Sequence, residues 1–191
     1  MSRLRIMEPG GMYHLTQRGN NRVAVFNTDA DRRVYLKYLE QYSREEQCLI
    51  HAYCLMGNHV HLVLTASSGE AVSRLMCQVQ GRYARHFNRT WHHSGSLWSK
   101  RFHHVQVESE GHLLSCLMYL DYNPVEARLC SAPAAYPWSS HRRYAAGRPD
   151  SLLTPPGSYL AMGPTEAKRQ QVYGRAVEDY RHQKAALAMA V

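Results

Sequence analysis

Two β-prone apolar runs flank Gly57-Asn58 in Leu55-Met56-Gly57-Asn58-His59-Val60-His61-Leu62-Val63-Leu64, and no other stretch constrains the fold as strongly. A Gly-Asn pair between such runs predicts a tight turn joining two antiparallel strands. Side chains alternate along a strand, so His59, His61 and Val63 share one face while Val60, Leu62 and Leu64 share the other. Two imidazoles two residues apart on a stiff strand both reach one metal ion, and the apolar residue between them anchors the strand in a core. With twelve His in the chain, one His-x-His arises by chance fairly often, so the surrounding sequence has to supply the context.

That context begins upstream. Met12-Tyr13-His14-Leu15-Thr16-Gln17-Arg18 predicts a first strand, entered through Pro9-Gly10-Gly11 and left through Gly19-Asn20-Asn21. Thr28-Asp29-Ala30-Asp31 resembles a capping box and opens a helix running to about Glu46, with Val34, Tyr35, Tyr38, Leu39 and Tyr42 as its buried stripe. Cys48 to Met56 gives a second strand and His59 to Thr65 the third. A long helix spans about Glu70 to Thr90, and Arg101 to Val107 is a short fourth strand. Glu110 to about Asn123 forms another helix, and Pro124 is expected to mark its break or a restart. The order strand, helix, strand, strand, helix, strand predicts an α+β fold: a ferredoxin-like split βαβ antiparallel sheet with helices on one face and the histidine strand central.

The long helix carries Val72, Met76, Val79, Tyr83 and Phe87 on its apolar face and a separate basic stripe, Arg82, Arg85, His86 and Arg89. Between Ala71 and Val107 there is no Asp or Glu, while Lys100 and Arg101 add to the charge and Trp91, Trp98 and Phe102 to the rings. Basic residues that follow a phosphate backbone, interleaved with rings on which bases stack, are what a single-strand nucleic-acid groove needs. The bland reading is a solvated basic face whose rings belong to the core. The net charge of +8 favours polyanionic partners.

Five widely spaced Cys without a Cys-x-x-Cys exclude a zinc ribbon and argue against a disulfide frame, consistent with a reducing compartment. The N-terminal MSRLRIMEPGG has no apolar leader and no stretch approaches membrane-span length, so a cytoplasmic protein with no membrane partner is expected. After Tyr144 the composition shifts to Gly, Pro and Ser, then to a helical pattern with Tyr173, Ala176, Val177 and Tyr180 on one face. This divides the chain into residues 1–146 as the main domain and residues 147–191 as a linker and C-terminal helix. That face is expected to dock on the main domain, with Lys168, Arg169 and Arg175 outward.

In Met118-Tyr119-Leu120-Asp121-Tyr122-Asn123-Pro124, Tyr119 and Asn123 are four residues apart and share a helix face, whereas Tyr122 points elsewhere. Two imidazoles and an amide oxygen suit a divalent cation, and a nearby tyrosine oxygen suits attack on a phosphodiester. Thirteen Tyr make any one of them, taken alone, an ordinary core residue.

From about Pro9 to Tyr144 the sequence resembles the HUH-type single-tyrosine transposases, and among them the REP-associated tyrosine transposases. The resemblance rests on GGMYHLTQRGNNR, HAYCLMGNHVHLVL, GRYARHFNR, GSLWSKRF, YLDYNPVEARL and YPWSSHRRY, in this order. It implies His59 and His61 as metal ligands, Asn123 as a third polar ligand and Tyr119 as nucleophile. It also implies cleavage and rejoining of single-stranded DNA through a 5′-phosphotyrosine, with Mg²⁺ or Mn²⁺ and no nucleotide cofactor. Imidazole ligands suit Mn²⁺ or Zn²⁺ better than Mg²⁺. The expected partner is single-stranded or hairpin DNA, and the expected assembly a monomer or homodimer. Asp121-Tyr122 departs from the usual apolar/His pair, Glu126 stands where a basic residue is common and Arg128 where glycine is common. Two rivals are a domesticated DNA-binding protein that no longer cuts, which the intact His59, His61, Tyr119 and Asn123 set opposes, and an RNA-processing nuclease, which only substrate competition separates.

Overall fold

A computed structural model describes residues 7–189, without the side chains of residues 182–189. Residues 1–6, part of the stretch read as lacking an apolar leader, and residues 190–191, the end of the expected tail, lie outside the described residues. In chain order the elements are β1 (Met12–Arg18), α1 (Asp29–Glu45), β2 (Cys48–Leu55), β3 (His59–Ala66), α2 (Gly69–Trp91), β4 (His103–Val107), α3 (Glu110–Glu126), α4 (His141–Ala146), α5 (Gly157–Leu160) and α6 (Glu166–Met189). All strand pairings are antiparallel in the order β2-β3-β1-β4, which makes β3 central as expected.

The two crossover helices of the split βαβ, α1 and α2, cover one face of this sheet. Thr28 opens α1 with a true capping box, its hydroxyl accepting from Asp31 N at 3.3 Å while Asp31 Oδ2 accepts from Thr28 N at 2.8 Å. The stripe predicted for α1 serves packing: Tyr35 and Leu39 are fully buried, and the Tyr35 ring meets Tyr83 of α2 edge-on at 5.2 Å. Beneath them lie Leu15 of β1 and Val60, Leu62 and Leu64 of β3, all buried. After β4 the chain turns to the opposite face, where α3 crosses the sheet.

Three local expectations change. Gly57-Asn58 does not form a two-residue hairpin turn: Leu55 pairs with Val60, and neither Gly57 nor Asn58 has a positive φ. The wider turn is held from outside, because Gly57 O accepts from Val25 N and Asn58 O from Gly19 N, each at 2.8 Å. Pro124 does not break α3, which runs on to Glu126. Proline removes one donor within the last turn, and the carbonyls of Asn123 and Pro124 are still taken up by Ala127 N (3.0 Å) and Leu129 N (2.9 Å). Finally, the Gly/Pro/Ser stretch read as a linker runs along the edge of β2. Thr154 N of that stretch donates to Ile50 O at 2.8 Å, and the segment before α4 continues along the same edge, with Ser140 N donating to Tyr53 O at 3.0 Å and Leu55 N to Trp138 O at 2.9 Å. These bonds occupy an edge that would otherwise invite pairing with another chain.

Helix α6 docks as expected through buried Tyr173 and Val177, with Lys168 and Arg175 exposed. Arg169, expected to face outward, instead turns to Glu166, at 2.9 Å, and to Gly163 O, at 3.1 Å. Glu166 also binds Arg143 and so ties α6 to α4; the two arginines hold its carboxyl down at about 2.

Candidate active site

Strand β3 presents His59 and His61 on the face turned away from α1 and α2. The register places Thr16 of β1 opposite His61 and Arg18 opposite His59, with His14 one step further along the same face. His14 Nε2 lies 2.9 Å from His61 Nδ1, and Thr16 Oγ1 lies 3.3 Å from the same nitrogen. His59 Nδ1 meets Asn58 Oδ1 at 2.7 Å. The rings of His59 and His61 are 4.9 Å apart between centroids.

Helix α3 brings Tyr119 over this group. Its ring centroid stands 5.9 Å from His14 and 5.8 Å from His61, edge-on to both. Asn123, one turn later, is buried and donates through Nδ2 to the Tyr119 carbonyl at 3.2 Å. Tyr122 leaves in another direction, its ring 6.3 Å from Tyr180 of α6. Of two tyrosines three residues apart, one faces the histidines and the other faces the tail.

Electrostatics follow from burial. Desolvation, then His14, His59 and Arg18, pushes His61 down to about 3. Desolvation with Arg18 takes His59 to about 4, and desolvation with His103 and His112 takes His14 to about 4. At neutral pH all three rings are therefore neutral, the form in which imidazole ligates a metal. Among the described residues no group of three or more His, Cys, Asp or Glu is arranged to hold a metal ion. A cation here would need the two imidazoles plus donors of another kind, such as the Asn123 amide oxygen and phosphate oxygens.

Residues 9–123, more than half of the chain, match the family of IS200-like transposases. The chain belongs to this family.

Among solved structures, the transposase resembles a REP-associated tyrosine transposase bound to a REP hairpin, with a TM-score of 0.62 and 19% identity over 82% of this chain and 93% of that one. A candidate transposase from Deinococcus radiodurans matches with a TM-score of 0.44 and 20% identity over 63% of this chain and 96% of that one. No curated protein matches the sequence. Among the described residues no helix is long and apolar enough to cross a membrane.

The residues expected to bind nucleic acid divide into two groups in this transposase. Arg82, Arg85 and Arg89 are exposed on α2, the layer on the far side of the sheet from the histidines. The fourth member of that stripe, His86, turns inward to Asp31 at 3.7 Å. Lys100 and Arg101 are exposed in the loop before β4, which Gln17 Nε2 fastens by donating to Lys100 O at 2.9 Å and Ser99 N by donating to Arg18 O at 3.0 Å. They stand at the end of the sheet that carries Arg18 and His59. Most of the aromatics are core: Tyr83, Phe87, Trp98 and Phe102 are buried, while Trp91 is 38% exposed. The bland reading therefore holds for these rings.

Sequence reasoning missed His14, Thr16, Arg18 and Asn58. The alternation of Tyr13-His14-Leu15-Thr16-Gln17-Arg18 does place three polar residues on one strand face, as the histidine pair is placed on β3. The predicted split βαβ arrangement implies β1 beside β3, but nothing in the sequence says in which register. It also did not reveal the role of Asp121, which is fully buried and accepts from His141 Nδ1 at 2.9 Å and Tyr173 OH at 2.7 Å. A carboxylate replacing an apolar residue on the Tyr119 helix thus finds its partners in α4 and α6.

Proposed function

We propose that residues 1–146 form the catalytic unit of a REP-associated type of single-strand DNA endonuclease and strand-transferase, with residues 147–191 as a linker and bracing helix. The observation that carries this reading is the contact of Tyr119 with both His14 and His61 on a rigid central strand pair. His59, His61 and Asn123 would hold the divalent cation, Mg²⁺ or Mn²⁺. When bound, it supplies charge stabilisation for the phosphodiester and the departing oxygen.

The chain's own residues do the rest. Tyr119 projects from a helix packed onto the sheet, so its oxygen is held in one place while DNA is brought to it. That oxygen forms a bond to phosphorus as the bond to the 3′ oxygen breaks. The 5′-phosphate stays on Tyr119, the phenolic proton is lost, and the 3′ oxygen leaves as a hydroxyl after taking up a proton. Attack by the same kind of 3′-hydroxyl on the phosphotyrosine reverses the step and joins strands. An ordinary phenol, with a pKa of about 10, is a weak nucleophile at neutral pH, so a positively charged site is needed. Arg18, Lys100 and Arg101 at the same end of the sheet provide phosphate-binding charge. The fold's likeness to a transposase bound to a REP hairpin supports structured single strands as substrate.

Mass spectrometry of the protein after incubation with hairpin-bearing single-stranded DNA and Mn²⁺ tests this. The expected result is a nucleotide adduct on the peptide containing Tyr119. No adduct, an adduct on Tyr122, or full cleavage in excess chelator would overturn the reading.

A further inference from the structure

Both candidate ligand histidines make their described ring hydrogen bonds through Nδ1, each to a partner supplied by a different element. We propose that Asn58 and His14 are positioning residues that hold His59 and His61 as Nδ1–H tautomers, turning the Nε2 lone pair of each ring toward a shared cation. The inference rests on the metal-dependent reading above and names the residues that prepare its ligands.

For His59 the tautomer follows from the neighbours. Asn58 Nδ2 donates to Arg22 O at 3.2 Å, which fixes the amide so that its oxygen faces His59. An amide oxygen only accepts, so His59 Nδ1 carries the hydrogen and Nε2 carries the lone pair. The support behind Asn58 is itself fixed. The Asn20–Arg22 turn is tied to the β2–β3 connection by Gly19 N donating to Asn58 O at 2.8 Å, and to the loop before β4 by Asn20 N donating to Leu97 O at 2.8 Å.

For His61 two arrangements satisfy the geometry. Its Nδ1–H can donate to His14 Nε2 and Thr16 Oγ1, both of which accept. Alternatively, His14 Nε2–H donates to a bare His61 Nδ1, which leaves the hydrogen on His61 Nε2. Only the first gives both rings a lone pair at the same atom, and a metal-bound histidine ordinarily donates its other N–H to a fixed acceptor. His14 also touches Tyr119, so one side chain registers the ligand against the nucleophile.

Long-range ¹H–¹⁵N spectra of the metal-free full-length protein read the tautomers directly, without any turnover. His59 and His61 are both expected as Nδ1–H. Asn58→Leu should release His59 toward Nε2–H and lower Mn²⁺ affinity, measured by electron paramagnetic resonance, by about 10- to 100-fold. Asn58→Asp, which still accepts, should restore both. His14→Phe combined with Thr16→Val, which removes both acceptors, should do to His61 what Asn58→Leu does to His59. Wild-type His61 protonated at Nε2, or variants with unchanged tautomers and Mn²⁺ affinity, would overturn the proposal. If the double variant fails to fold, the wild-type spectrum still decides. Expected tautomers with no Mn²⁺ bound to the wild type would uphold the positioning role and overturn the metal site.

Discussion

The two faces of β3 are built from alternate residues of one strand and do opposite work. Val60, Leu62 and Leu64 point into a layer closed by Leu15, Tyr35, Leu39, Val79 and Tyr83, where every side chain is buried and apolar or nearly so. His59 and His61 point into a layer that α3 closes only in part: His61 is 5% exposed, while His59, His14 and Tyr119 remain half-buried. Burial on the first face stabilises; on the second it keeps imidazoles neutral while His14, His59 and Tyr119 stay partly exposed. A site built this way inherits the rigidity of the core one residue away, which is what placement of reacting atoms to within a fraction of an ångström requires.

The sharpest test of that division lies on α3. Tyr119→Phe removes one oxygen from the half-open face, so covalent cleavage should fall by about 10⁴-fold or more while melting and DNA affinity hold. Tyr122→Phe, whose ring faces Tyr180, should keep most of the adduct. Consecutive residues of β3 give the next test. His61→Ala should cost about 10³-fold in cleavage, the equivalent of several kcal/mol of lost charge stabilisation, with little change in melting temperature. Its neighbour Leu62→Ala should do the reverse, destabilising by about 2–5 kcal/mol while the folded fraction still cleaves. If His61→Ala unfolds the protein, the two faces are one core and the histidines are packing residues.

Smaller effects probe how the open face is braced. Tyr173→Phe deprives the buried Asp121 carboxylate of a donor, which should cost about 1–3 kcal/mol of stability, read by chemical denaturation. An unchanged midpoint would show that α6 is a passive cover. Smallest is the contribution of single surface charges. Lys100→Ala and Arg101→Ala should each shallow the dependence of log affinity on log salt by about one unit, because they flank the histidine end of the sheet. Arg85→Ala and Arg89→Ala on α2 should change that slope less; equal effects would mean that DNA wraps around the closed face as well.

Patterns with local causes were legible from the residues. Alternation in β3 separated histidines from core, the capping box at Thr28 marked the start of α1, and the spacing of Tyr119 and Asn123 put them on one side of α3. The resemblance to single-tyrosine transposases joined these local features into a site, and the family match over residues 9–123 covers the strings from GGMYHLTQRGNNR to the Tyr119–Asn123 segment. The register of the long-range pairings was not legible. The split βαβ pattern sets β1 beside β3, but the register between them follows from how two apolar faces and their connecting helices fit together, so His14, Thr16 and Arg18 joined the site only in three dimensions. Whether the rings between Tyr83 and Phe102 stack on bases or belong to the core stayed open, because periodicity reports a face without saying what covers it. Asp121 looked like a departure until the fold supplied His141 and Tyr173 from elements that begin 20 or more residues further along the chain. Secondary structure and the chemical character of each face follow from spacing, a property of neighbours; the company a buried polar group keeps follows from packing, which brings together residues that no local rule connects.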